Sequence, residues 1–239
     1  MNQLTKEAQE KIEELVREAE KIQELTGLLT AELVQGWRCY HIANSIRQAY
    51  ADKRVNSMYY FLVTVRVSCE NSVILTLTNL ISEQKRHKTA NISYLLREFE
   101  TWANKTKKFL NFTGRERLDN ISRTATLTLR ILDKGVPRHI AQDREYLETI
   151  RPTVEKLESY RNTIVAHIDR KLVNDPAPLL TEPLLYQGEI ESAFDMLFGI
   201  IKRYSWYLGY EVRFEEHGRR VLEDFEYLIE TIEKDNERE

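Results

Sequence analysis

The chain has 239 residues but only 8 Gly and 5 Pro, less than half the share of structure breakers that about 12% average usage would give. An all-β sandwich or barrel needs a turn roughly every 8–12 residues, yet neither Asn-Gly nor Asp-Gly, the strongest hairpin signals, occurs. With 42% hydrophobic residues, 10% aromatic residues and a net charge of only −3, disorder is excluded too, and long helices remain.

In chain order, Leu4, Ala8, Ile12, Leu15, Ala19 and Ile22 recur at spacings of four and three. Such residues share one face, which predicts an amphipathic helix over 3–26. This segment has no apolar core of the kind a signal peptide requires. Gly27 offers a point of interruption, so 1–27 is read as an N-terminal helical extension and 28–239 as the main domain. Leu29, Leu33, Val34, Trp37, Tyr40, Ala43 and Ile46 continue the stripe, and 53–57 reads as a connection that Asn56 or Ser57 caps.

Residues 57–82 are rich in β-branched side chains, which suit buried strands. No turn signal bounds the two runs, however, and their combined length predicts a buried helix. The uncharged apolar stretches 55–65 and 71–82 fall short of the roughly 18 residues of a membrane span. Two cysteines, Cys39 and Cys69, make no CxxC and no disulfide framework. The expectation is a cytoplasmic protein with no membrane partner.

Thr89 or Asn91 caps a predicted helix that runs to about 110, and Gly114 lies in the next break. Asp119 or Ser122 opens another helix, ending near Gly135. Pro137 begins a long helical segment that Pro152 kinks or divides. Three of the five prolines fall in the loop 174–188, and from Glu189 to about Lys234 the chain reads as helical again. Charge is uneven along this path. Residues 83–130 hold 11 Lys and Arg against 5 Asp and Glu, whereas 211–239 hold 5 against 11. That asymmetry fits a polyanion-binding face, two faces that attract in an oligomer, or plain solvated helix surface.

One segment carries chemical potential. At about 100° per residue, Val154, Leu157, Ile164, Val165, Ile168 and Leu172 form one apolar face of a helix, and Arg161 falls in its middle. A guanidinium stays charged, so there it requires a carboxylate, a phosphate or a solvated cleft. Tyr160 and His167 share a neighbouring face, about 120° around the helix from Arg161. The competing reading is an Arg paired to an acidic partner helix beside a half-exposed His.

Arg161-Asn162 followed by His167 resembles the signature of the HEPN superfamily, all-helical domains whose Arg and His act in metal-independent RNA cleavage. The wider layout resembles the abortive-infection, AbiU-type branch. Trp37-Arg38-Cys39-Tyr40 looks like its early tryptophan-containing helix. Thr76-Leu77-Thr78-Asn79-Leu80 and Ile92-Ser93-Tyr94-Leu95-Leu96 resemble its paired central elements. Gly188-Glu189-Ile190-Glu191-Ser192-Ala193 and Lys202-Arg203-Tyr204 also fit. The resemblance covers about 30–232. It departs after the His, where the branch places a basic residue and this chain has Ile168, with its basic pair at Arg170-Lys171.

The resemblance implies an all-α, HEPN-like helical bundle that cleaves RNA without metal or cofactor, using the substrate's own 2′-hydroxyl as nucleophile. His167 would move protons near neutral pH, and Arg161 would hold the phosphate charge that grows in the transition state. Asn162 would orient one or the other, with Tyr160, Arg170 and Lys171 as candidate RNA-binding residues. The implied partners are RNA, a second copy of the chain with the active site at the interface, and an antitoxin or another defence protein. The alternative is the same scaffold as a non-catalytic RNA- or protein-binding module, or as a structural helical dimer.

Lesser candidates have structural readings. Cys39 and His41 face different ways on a helix and make a poor metal site. His87 sits in a basic loop, and neither His139 nor His217 has a partner at ligand spacing. Tyr204, Trp206, Tyr207 and Tyr210 suit a core or a dimer interface better than base stacking. Lys105, Lys107, Lys108, Arg115 and Arg117 either track RNA phosphates or neutralise the acidic C-terminal helix.

Overall fold

Apolar side chains at intervals of three and four persist along the first fifty residues, and in the computed structural model they wind into one helix, α1 (Lys6–Ala51). It passes through Gly27 without a break. The structure describes residues 6–54, 58–81, 90–113, 135–174 and 187–236. The other helices are α2 (Tyr59–Ile81), α3 (Ile92–Thr113), α4 (Val136–Asn174), α5 (Gln187–Tyr207) and α6 (Phe214–Asn236). Among the described residues there is no strand, and the fold is all-α.

Helix ends follow local chemistry. Asn91 caps α3, its side-chain oxygen accepting the Tyr94 N–H at 2.7 Å. Pro137 sits in the first turn of α4, where no intrahelical N–H is needed. Pro152 neither ends nor divides α4, which runs through it for 39 residues. The single helical stretch expected from Glu189 to Lys234 is instead two helices. Gly209 adopts φ 86°, and the Gly209 and Tyr210 N–H groups bond the carbonyls of Trp206 and Ser205. That is a Schellman closure with glycine at its left-handed position. The end of α1 closes the same way with Lys53 at φ 59°, its N–H and that of Arg54 bonding Tyr50 and Ala49. The expected caps Asn56, Ser57 and Thr89, and the helix expected after Asp119 or Ser122, lie outside the described residues.

The chain divides into two compact units, with cuts after Thr30, Ser82, Thr149, Met196 and Val212. The first holds the start of α1, α3, the start of α4 and the end of α5. Ile12, Leu15, Ala19, Ile22, Thr26 and Leu29 line its side of α1, and α3 packs there through the Trp102 indole N–H, which donates to the Leu15 carbonyl at 2.9 Å. Phe99 meets Tyr204 edge to face at 4.7 Å between ring centroids. Asp143, wholly buried, is held by the Arg203 guanidinium and by the Tyr204 hydroxyl at 2.9 Å. A buried carboxylate needs such partners.

The second unit holds the rest of α1, α2, the remainder of α4, the start of α5, and α6. Ile46, Ala49, Leu62, Val63, Ile229 and Ile232 make one buried cluster. The β-branched run of 57–82 is a helix here, as its length predicts. Its Tyr60–Ile81 segment is long and apolar enough by composition to cross a membrane, but Leu62, Val63, Val73, Ile74, Leu77 and Leu80 are buried within the protein. The two charges that interrupt the run neutralise each other, with Arg66 Nε 2.6 Å from Glu70 Oε1. Arg54 reaches Glu226 at 2.9 Å and Glu233 at 3.2 Å on α6, so the acidic C-terminal helix finds a cation outside the basic middle of the chain.

Candidate functional site

Helix α4 carries the residues singled out for RNA cleavage. Val154 and Leu157, the first members of its predicted apolar face, are buried in the second unit. Position 161 follows them by seven and four residues, so helical register continues the same row. Tyr160, Arg161, Asn162, His167, Arg170 and Lys171 all fall within the unbroken span of α4. Their side chains lie outside the described residues, as do His87, Arg115, Arg117 and the side chain of His217.

The described residues nearest in sequence show how α4 is held. Thr153 Oγ1 donates to Glu189 at 3.2 Å, and Lys156 Nζ lies 4.0 Å from the same carboxylate. Lys156 is half exposed, so water screens this ion pair and its main effect is to set register between α4 and the first turn of α5. The next turn of α5 is anchored to α1. The buried Tyr40 hydroxyl donates to Glu191 Oε1 at 2.5 Å. Burial first, and then Glu191, pushes the Tyr40 phenol up to about 12, so it remains a proton donor throughout the physiological range.

Aromatic rings surround that bond. Trp37 meets Phe194 edge to face at 5.4 Å and His41 at 4.1 Å. Burial lowers the His41 pKa against the opposing pull of Glu191, which favours the neutral ring. Trp37, Tyr40, His41, Glu191 and Phe194 thus form a clamp between α1 and α5. Both halves lie in segments on which the family resemblance rests, but their pairing had no signal in the sequence because 151 positions separate Tyr40 from Glu191.

The remaining candidates resolve structurally. Cys39 and His41 contact different groups: the thiol bonds Cys69 and Gln35, while His41 meets Trp37 edge to face. Among the described residues no group of three or more His, Cys, Asp and Glu is placed to hold a metal. His139 Nδ1 lies 2.7 Å from the Tyr207 hydroxyl. Tyr204 and Tyr207 are core residues, and Trp206 is half exposed with its ring against Tyr207. Lys105 pairs with Glu18 of α1 at 2.5 Å, whereas Lys107 and Lys108 are exposed.

Residues 19–228 match the family model HEPN_AbiU2, described as AbiU2. No curated protein and no solved structure matches the chain.

Proposed function

Because the chain belongs to the AbiU2 family of HEPN domains, we propose that it is a metal-independent endoribonuclease acting in phage defence or as the toxin of a toxin–antitoxin pair. The observation that carries this reading is the family match across 19–228 together with Arg161, Asn162 and His167 on one continuous helix inside it. His167 takes the proton from the substrate's 2′-hydroxyl and supplies one to the leaving oxygen. The attacking oxygen closes on phosphorus, the P–O5′ bond breaks, and a 2′,3′-cyclic phosphate remains. Arg161 presents a planar fork of donors to the charge on the phosphate. Asn162 orients the phosphate or His167, and Tyr160, Arg170 and Lys171 hold the flanking RNA. The protein works in the cytoplasm as a homodimer that shares the cleft, and an antitoxin or defence partner restrains it.

Ile168 favours a second reading. It stands where the branch places a basic residue, which weakens the phosphate grip and suits a binding module without catalysis. One assay separates the two. Purified protein incubated with RNA in EDTA is expected to leave cyclic-phosphate ends, and Arg161→Ala or His167→Ala to reduce cleavage at least 100-fold with the helical circular-dichroism spectrum unchanged. Cleavage that persists in the double variant would exclude this site. RNA binding without cleavage by the unaltered protein would establish the module.

A further inference from the structure

The chain has two cysteines, on different helices, and the fold brings them together. Within the second unit, Asn79 of α2 bonds Glu32 of α1, Gly36 lies against Thr76, and Leu62 and Val63 pack with Ile46 and Ala49. Partners descend along α2 as they ascend along α1, so the helices are antiparallel and Cys39 falls opposite Cys69 and Ser72. Approach is close at this point: a Cβ on Gly36 would lie 2.6 Å from Thr76 Cγ2.

The Cys39 sulfur is not surrounded as an apolar filler would be. Gln35 Nε2 donates to it at 3.7 Å, and the Cys69 thiol bonds it as well, while the Ser72 hydroxyl, which donates to the Ser68 carbonyl at 3.0 Å, lies beside it. Donors from Gln35 and Cys69 on one sulfur stabilise negative charge there. The Cys39 thiol lies below the ordinary thiol range, chiefly through the Cys69 hydrogen bond and against the effect of burial. Cys69 lies above that range, through the same bond and through burial. One partner is therefore set up as nucleophile and the other as the proton-bearing thiol. Both are free and buried, with residue exposures of 6% and 8%, which restricts access to an oxidant near the size of water.

We propose that Cys39 and Cys69 form a dithiol that hydrogen peroxide oxidises to a disulfide across α1 and α2. The Cys39 thiolate attacks one peroxide oxygen, the O–O bond breaks, and a sulfenic acid forms as hydroxide leaves. Cys69 then gives up its proton and attacks the Cys39 sulfur. The S–S bond forms as the S–O bond breaks, and the departing oxygen leaves as water. In balance, two thiols and one peroxide yield one disulfide and two waters, with the peroxide reduced by two electrons. The bridge locks α1 to α2 at the residue before Tyr40, the α1 end of the clamp to α5.

The test uses the full chain, reduced, desalted and treated with hydrogen peroxide, then denatured with a maleimide present. The expected intact mass falls by two hydrogens, both alkylatable thiols are lost, a peptide linking Cys39 to Cys69 appears, and dithiothreitol reverses all three. In Cys69→Ser, Cys39 gains one oxygen and is trapped by dimedone; in Cys39→Ser, Cys69 remains alkylatable. Thiols that stay alkylatable in the unaltered chain, oxygen addition without a cross-link, or a disulfide between two chains would each overturn the proposal. The unaltered chain decides this even where a variant fails to fold, and the result is independent of RNA cleavage.

Discussion

Tyr40 illustrates how much a single hydroxyl does in this fold. Its phenol is buried and reaches a carboxylate on α5, so Tyr40→Phe removes a charge-assisted hydrogen bond. The expected loss is about 1.5–3 kcal/mol in urea unfolding at pH 8. The pH dependence carries its own sign. Folding raises the phenol from its usual 10 to about 12, so its contribution is complete below pH 10 and is lost as pH rises towards 12. The stability gap between the unaltered protein and Tyr40→Phe should therefore narrow across that window; a constant gap would show that the Tyr40 phenol is not the group responsible. Asp143 has comparable local dependence on Arg203 and Tyr204. Neither pairing was legible in the sequence, because no local pattern says which distant hydroxyl or guanidinium will meet a given carboxylate.

Helices are where the sequence was most readable. The spacing of apolar residues is set by 3.6 residues per turn, and α1 appears where that spacing places it, while α3 and the start of α4 appear where a cap and Pro137 place them. Helix α2 was ambiguous because β-branched residues suit strands, and its length decided correctly. The break at Gly209 was missed: one glycine inside a periodic run resembles a tolerated interruption until its positive φ is seen. Packing between helices was equally hidden, and Gly36 tests it. Alanine favours a helix by about 1 kcal/mol over glycine, yet its Cβ would press on the short, branched Thr76 side chain. Gly36→Ala is expected to cost a net 1–2 kcal/mol or so, and adding Thr76→Ala should recover part of it. A double variant as unstable as the summed singles would show that the two positions do not meet.

For the whole molecule, the proposed ribonuclease requires two copies. Light scattering after size exclusion is expected to give about twice the 28.3 kDa chain mass, and a monomer at micromolar concentration would remove the shared cleft from the mechanism. Charge also acts over this range. The acidic C-terminal helix is answered by Arg54, and Lys105 of the basic middle by Glu18, so neither needs the other for these contacts. Lys107 and Lys108 remain exposed, available to a phosphate backbone.

The amino-acid sequence alone determined the helical class, most helix positions and the family, and narrowed the α3 cap to Thr89 or Asn91. Each of these depends on neighbours within a turn or two, or on a short motif, and so is written locally. Tertiary structure decided what no local rule contains: that Cys39 meets Cys69, that Tyr40 meets Glu191, and that Arg54 serves α6. These contacts join residues brought close only by the path of the chain. Burial then sets their energies, because a polar group removed from water is stable only where a specific partner replaces the solvent.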